Sequence, residues 1–247
     1  MPISPNQGST GGGTTVTITG VNLGGATAVK FGTKLATITA NTPTSVTVIA
    51  PSGAGTVDVT VTTSGGTSNP LSFYYVGAPF KSSLSATSGP TAGGNTVALY
   101  GTGLSTAGSV EFGSNTATPT VVSDGQIEIT VPAGTAAGTV GVTVTTEGGS
   151  SNGLSYTYVD APTVTTVSPS SGPTSGGTAV TITGTSLTTT SGVTIGGAVA
   201  PFSVVSSTTV SVVTPPGTAG AADVVLTTTG GSATAVGGFT YVSSPGI

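Results

Sequence analysis

The chain has 247 residues, with three lysines, no arginine, no histidine and no cysteine, and a formal net charge of −4. That composition excludes a grip on duplex nucleic acid, which needs clustered basic side chains to displace counterions from phosphate, and it argues against an anionic membrane surface as partner. It also leaves no thiolate for a disulfide or a metal site; with 41 glycines and only 4% charged residues, the surface must be coated by Thr, Ser, Asn and Gly.

The opening residues Met1-Pro2-Ile3-Ser4-Pro5-Asn6 lack the basic segment and apolar stretch of a signal peptide, and no apolar run reaches the length of a membrane span. An extracellular or particle-surface location is therefore expected to be reached by a leader already removed, by leaderless export, or by release within a particle. From Gly8 the chain enters a pattern that it repeats. Gly8-Ser9-Thr10-Gly11-Gly12-Gly13-Thr14-Thr15-Val16-Thr17-Ile18-Thr19-Gly20 returns as Gly89 to Gly101 and again as Gly172 to Gly184. In each copy an apolar-Gly pair follows (Phe31-Gly32, Phe112-Gly113, Ile195-Gly196), then a proline (Pro51, Pro132, Pro215), then a Gly-Gly turn (Gly65-Gly66, Gly148-Gly149, Gly230-Gly231). Each copy closes on an aromatic strand: Phe73 to Val76, Tyr156 to Val159 and Phe239 to Val242. Agreement at so many points marks tandem duplication.

Within a copy, Thr15 to Thr19, Ser45 to Ile49 and Thr56 to Thr62 alternate apolar and polar residues, the period of a strand with one buried and one wet face. No segment has helical periodicity. About seven short strands between frequent turns predict a β-sandwich whose inward Val, Ile, Phe and Tyr form the core. Pro5, Pro90, Pro169 and Pro173 lie near the first strand of their copies and confine it to an edge or a bulge. The expected fold class is all-β: three tandem immunoglobulin-like sandwiches in an extended rod, with domains at 1–77, 78–160 and 161–247.

The run Ser-Pro-x-x-Gly-x-x-x-Gly-Gly-x-x-Val-x-Ile-x-Gly, then Val-x-Phe-Gly, a Pro-Gly loop, Val-x-Val, Gly-Gly and Phe-x-Tyr-Val resembles the IPT/TIG domain. It runs from Ser4-Pro5 to Tyr75-Val76 and from Ser168-Pro169 to Tyr241-Val242, with Ala86 replacing the early proline in the middle copy. The resemblance implies an early-set immunoglobulin-like sandwich without shared catalytic residues, of a kind found in surface proteins. The DNA-binding use that some members have depends on basic loops, which this chain lacks.

The residues that could carry chemistry are few. Without histidine there is no serine triad. Lys81-Ser82-Ser83 reads as a solvated junction lysine, because a catalytic lysine needs burial. Asp124 and Glu128 form the only near carboxylate pair, and Glu128 alternates with Ile127 and Ile129 so that it faces water. Asp58 and Asp223 read as outward strand residues. Asp160 alone at a junction makes no calcium site. Gly101-Thr102-Gly103-Leu104 lacks the third glycine and the helix of a dinucleotide fingerprint. No catalytic residue, cofactor or metal is expected.

Short proline-bearing linkers join the copies: Val76-Gly77-Ala78-Pro79 and Val159-Asp160-Ala161-Pro162. The tail Val242-Ser243-Ser244-Pro245 has the same form. From Pro79 to Leu84 and from Pro162 to Val167 is five steps, and Pro245 through Gly246 and Ile247 into another molecule's Met1, Pro2 and Ile3 is also five. The expectation is a non-catalytic structural or adhesive protein that builds a surface filament by head-to-tail self-association, through Met1, Pro2, Ile3, Val242, Pro245, Gly246 and Ile247. Two alternatives stand beside it: an array of carbohydrate-binding modules on cell-surface polysaccharide, with Tyr74, Phe80 and Tyr100 as contacts, and a decoration or fibre protein of a phage-like particle.

Overall fold

In the computed structural model, which describes residues 2–245, every regular element is a strand. The alternating segments lie as their patterns require. Val16 and Ile18 of Thr15–Thr19 face Val48 and Val46 of Ser45–Ile49 in antiparallel register, and all four are buried. Each repeat stacks a four-stranded sheet on a larger one. In the first repeat the order is Ile3–Ser4, Thr15–Thr19, Ser45–Ile49, Thr37–Asn41 in one sheet, and Gln7–Ser9, Leu71–Val76, Gly55–Thr63, Ala28–Phe31, Lys34–Leu35 in the other. The second and third repeats reproduce both orders.

The first strand of each repeat serves both sheets. Ile3–Ser4 pairs antiparallel with Thr15–Thr19, after which Gln7–Ser9 pairs parallel with Leu71–Val76, with Gly8 opposite Tyr75. Phe80–Leu84 with Ser88–Pro90, and Thr163–Ser168 with Ser171–Pro173, do the same. The crossing falls at Ser4–Pro5 and Ser168–Pro169, both cis peptide bonds. These segments are sheet edges, where a residue without an N–H costs no ladder bond.

The recurring aromatics and prolines meet in the core. Phe73 packs edge-to-face on Phe31 at 5.0 Å and on Tyr75 at 5.2 Å, as do Tyr156 on Tyr158 and Phe239 on Tyr241. The Tyr75 hydroxyl donates to the Pro51 carbonyl at 2.7 Å, Tyr158 to Pro132 at 2.8 Å and Tyr241 to Pro215 at 2.7 Å. A glycine lies against each ring: a β-carbon on Gly53 would stand 2.2 Å from Tyr75 Cε2, and one on Gly217 2.4 Å from Tyr241 Cε2. Burying a Val, Ile or Phe side chain contributes about 1.5–3 kcal/mol, and each repeat buries about a dozen such residues.

One residue departs from the sequence expectation. Lys81 is only 1% exposed, not solvated. Its main chain pairs with Gly101 in the four-stranded sheet, and its Nζ donates to the Val142 carbonyl. The third repeat has the half-buried Val164 at the corresponding place, opposite Gly184 and against the core. Lys81 thus occupies a core-facing slot with an amphipathic chain, and burial lowers its pKa from 10.5 to about 8.

The described chain forms two compact units. One holds the residues up to Ser85 with Thr96–Thr130 and Gly141–Leu154; the other holds Ala86–Asn95, Val131–Val140 and the residues from Ser155 onward. The division passes through the second repeat.

These environments set a pH profile. The unfolded chain binds more protons at Lys81 than the folded chain between about pH 8 and 10.5, so stability rises with pH across that window, by up to about 3 kcal/mol. Burial raises the pKa of Tyr75, Tyr156, Tyr158 and Tyr241 from 10.0. Their contribution is present below that value and is lost as pH climbs past it. Guanidinium denaturation of the wild type should show stability climbing from pH 8 and falling above pH 10. Lys81→Met should be more stable at pH 7 and lose the climb while keeping the fall.

Candidate functional site

The carboxylates are dispersed, and two of them, Asp124 and Asp223, accept backbone hydrogen bonds. Asp124 accepts hydrogen bonds from the Gly103 and Ser105 N–H groups at 3.1 and 3.4 Å, which hold its carboxyl below the usual range. It caps the turn that follows Thr96–Thr102. Glu128 is exposed on Gln126–Thr130, opposite Ala98 and Thr120. Asp223 accepts from the Gly237 N–H at 2.7 Å, and Asp160 from the Thr91 hydroxyl at 2.9 Å; Asp58 is exposed. Among the described residues no group of three His, Cys, Asp or Glu side chains is placed to hold a metal ion. No helix of the described residues is long and apolar enough to cross a membrane.

The three aromatic candidates are all exposed, and the topology joins two of them. Phe80 lies opposite Thr102, two residues along the outward face from Tyr100, so the two are diagonal neighbours across adjacent strands of the second repeat's four-stranded sheet. Phe80 is 60% and Tyr100 39% exposed. Tyr74 stands elsewhere, on the outer face of the first repeat's larger sheet, opposite Gln7 and Thr56.

The strongest constellation lies where one repeat follows another. In the second repeat the Gly148-Gly149 turn abuts the linker after the first: a β-carbon on Gly148 would meet the Gly77 carbonyl oxygen at 1.9 Å. Thr146 is buried beneath that turn; its hydroxyl accepts from the Gly148 N–H at 3.1 Å and donates to the Gly149 carbonyl at 3.3 Å. Linker residue Pro79 is buried, with its Cα 3.5 Å from a β-carbon placed on Gly103. Gln7 Nε2 donates to Glu147 Oε2 beside it. The third repeat builds the same junction: a β-carbon on Gly230 would meet the Asp160 carbonyl oxygen at 2.0 Å, Thr228 is buried with the same two bonds, and Pro162 is buried.

The first repeat presents this turn uncovered. Thr63 is half-buried, Gly65 and Gly66 are exposed, and a β-carbon on Gly65 would meet only Thr63 Oγ1 at 3.6 Å. Val76 and Val159 are half-buried and Pro79 and Pro162 buried, whereas Val242 and Pro245 are exposed. Of the other residues expected to make end-to-end contact, Pro2 is exposed with its carbonyl accepting from the Thr19 N–H, and Ile3 packs against the first core. Met1, Gly246 and Ile247 lie outside the described residues. The linker prolines were legible in the sequence; the threonine beneath each turn was missed, although Thr63, Thr146 and Thr228 recur in register.

The family model described as IPT/TIG domain matches residues 1–75, 79–158 and 162–241. No curated protein matches the sequence. Solved structures of similar fold include a plexin A4 extracellular region of domains 1 to 10, at 16% identity and TM-score 0.45, covering 99% of this chain and 29% of that one. The mixed-linkage glucan locus protein SGBP-B of Bacteroides ovatus, in complex with a heptasaccharide, is similar at 19% identity and TM-score 0.30, covering 96% and 65%. The Escherichia coli adhesin FdeC is similar at 17% identity and TM-score 0.37, covering 98% and 96%. The chain spans about a third of the plexin extracellular regions that it matches.

The junction geometry separates three equivalent glycines. Gly65→Ala should change stability by less than about 0.5 kcal/mol, while Gly148→Ala and Gly230→Ala should each cost about 2 kcal/mol or more, because a backbone carbonyl must move. Chemical denaturation of the three variants checks the order.

Proposed function

We propose, since this chain belongs to the IPT/TIG domain family, that it is a non-catalytic structural or adhesive building block of an extracellular or particle-surface fibre, assembled by head-to-tail self-association. The observation that carries this reading is a complementarity. A Val-x-x-Pro segment meets a Thr-x-Gly-Gly turn twice within the chain, with the proline, the threonine and the first glycine of the turn buried both times, and each part occurs once more with its proline or its glycines exposed, the turn at Thr63 to Gly66 and the segment at Val242 to Pro245. A contact between unlike surfaces of identical molecules gives an open polymer when its rotation does not close. With so little charge on either surface, the contact rests on close packing and backbone polar groups.

Electron microscopy and sedimentation of the purified protein at rising concentration should show filaments growing, and removal of residues 243–247 should leave monomers. Monodisperse monomers of the intact chain at high concentration would overturn the proposal.

A second reading, binding of surface polysaccharide, is favoured by the Phe80 and Tyr100 pair, two exposed rings on adjacent strands of one sheet face. Aromatic rings combine a broad apolar face with, for tyrosine, a polar tip. Glycan-array binding that disappears on Tyr100→Ala and persists on Tyr74→Ala is the expected result; binding unchanged by Tyr100→Ala removes this reading.

A further inference from the structure

We propose, resting on the polysaccharide reading and naming its ligand class, that the outward face of the second repeat's four-stranded sheet binds an extended, uncharged, equatorially linked sugar polymer. Phe80 and Tyr100 stack on its sugars, and Gln126 and Glu128 hydrogen-bond their hydroxyls.

Strand register places the four side chains together. Tyr100 lies directly between Gln126 on one neighbouring strand and Ser83 on the other. Phe80 lies opposite Thr102, two residues along the face in one direction, and Glu128 lies opposite Ala98, two residues along it in the other. Phe80, Tyr100 and Glu128 therefore follow one diagonal across three adjacent strands, Phe80–Leu84, Thr96–Thr102 and Gln126–Thr130. Each diagonal step is about 7–8 Å, so the line spans about 15 Å. Phe80, Tyr100 and Glu128 are exposed and Gln126 is half-buried.

These four positions depart from the duplicated pattern. Those of Tyr100, Gln126 and Glu128 hold Thr19, Ser45 and Thr47 in the first repeat and Thr183, Thr209 and Ser211 in the third, in the same register. The place of Phe80 is taken by Thr163 in the third repeat. Small hydroxyl residues thus satisfy the fold here, and packing does not demand two rings, an amide and a carboxylate on the middle repeat. The buried Ile127 and Ile129, which packing does constrain, keep the apolar character of Val46 and Val48.

The chemistry of the set selects the ligand. The apolar face of an aromatic ring stacks on the C–H face of a sugar ring, while the carboxylate accepts from sugar hydroxyls and the amide both donates and accepts. Contacts strung along one line require a chain that runs straight, as equatorially linked sugar polymers do. Charge sets the remaining limit. Glu128 stands on the face and Asp124 at the turn beside it, whereas Lys81, the only lysine of the second repeat, turns its ammonium to the buried Val142 carbonyl. A uronic-acid polymer meets like charge on this face.

Calorimetric titration of the full chain with cellohexaose, mannohexaose, chitohexaose, glucose and hexagalacturonate tests the site. Saturable binding is expected for at least one of the neutral hexasaccharides, and none for glucose, which reaches one ring only, or for hexagalacturonate. Phe80→Ala and Glu128→Ala should each weaken that binding about tenfold, with the guanidinium midpoint unchanged, and Glu128→Lys should admit hexagalacturonate. No binding of any neutral hexasaccharide overturns the site, as does binding that ignores both alanine variants or that favours hexagalacturonate in the wild type. These results leave the broader polysaccharide reading standing where a glycan array still shows binding lost on Tyr100→Ala; an array on which the wild type binds nothing removes both.

Discussion

Each repeat depends on a tyrosine hydroxyl held by a proline carbonyl. Tyr75, Tyr158 and Tyr241 carry their rings into the core and place their oxygens on Pro51, Pro132 and Pro215. A buried hydroxyl without a partner costs on the order of 1–3 kcal/mol, so this bond decides whether a tyrosine can close the sandwich at all. It fixes the closing strand against the loop after Ser45–Ile49 and its counterparts. The glycine under the ring follows from the same packing, since no β-carbon fits there. The parallel edge strand then finds its register on the closing strand, with Gly8, Gly89 and Gly172 opposite the three tyrosines.

The junctions extend this economy beyond single repeats. Charged side chains contribute little; a threonine hydroxyl satisfies the turn above it, and a glycine lets a linker carbonyl approach to van der Waals distance. Contacts of this kind are short-ranged and indifferent to salt, unlike ion pairs on a surface. The threonine beneath the turn is buried where a linker lies against it, at Thr146 and Thr228, and half-buried at Thr63.

The sandwich was legible in the sequence because period-two alternation and the spacing of Pro51, Gly65-Gly66 and Tyr75 are local consequences of the fold. Lys81 was not read as buried. A lysine two residues after Pro79 carries the signature of a solvated linker, and the contrary signal was Val164 at the same place in the third repeat. The Gly-Gly turns were read as turn chemistry, which holds for Gly66, Gly149 and Gly231 with their positive φ. Gly148 and Gly230 answer to a neighbouring carbonyl instead, a constraint that exists only in three dimensions. Nothing in the sequence joins Phe80 to Tyr100; strand register makes them a pair.

The parallel pairing of the first and last strands has a mechanical meaning. Gln7–Ser9 and Leu71–Val76 run side by side in the same direction, as do Ser171–Pro173 and Gly231–Val242. Tension applied to the two ends of a repeat pulls these strands oppositely along their shared axis. Their hydrogen bonds are then loaded together, in shear, and none can be peeled open ahead of the others. A repeat built this way resists stretching with its whole edge at once.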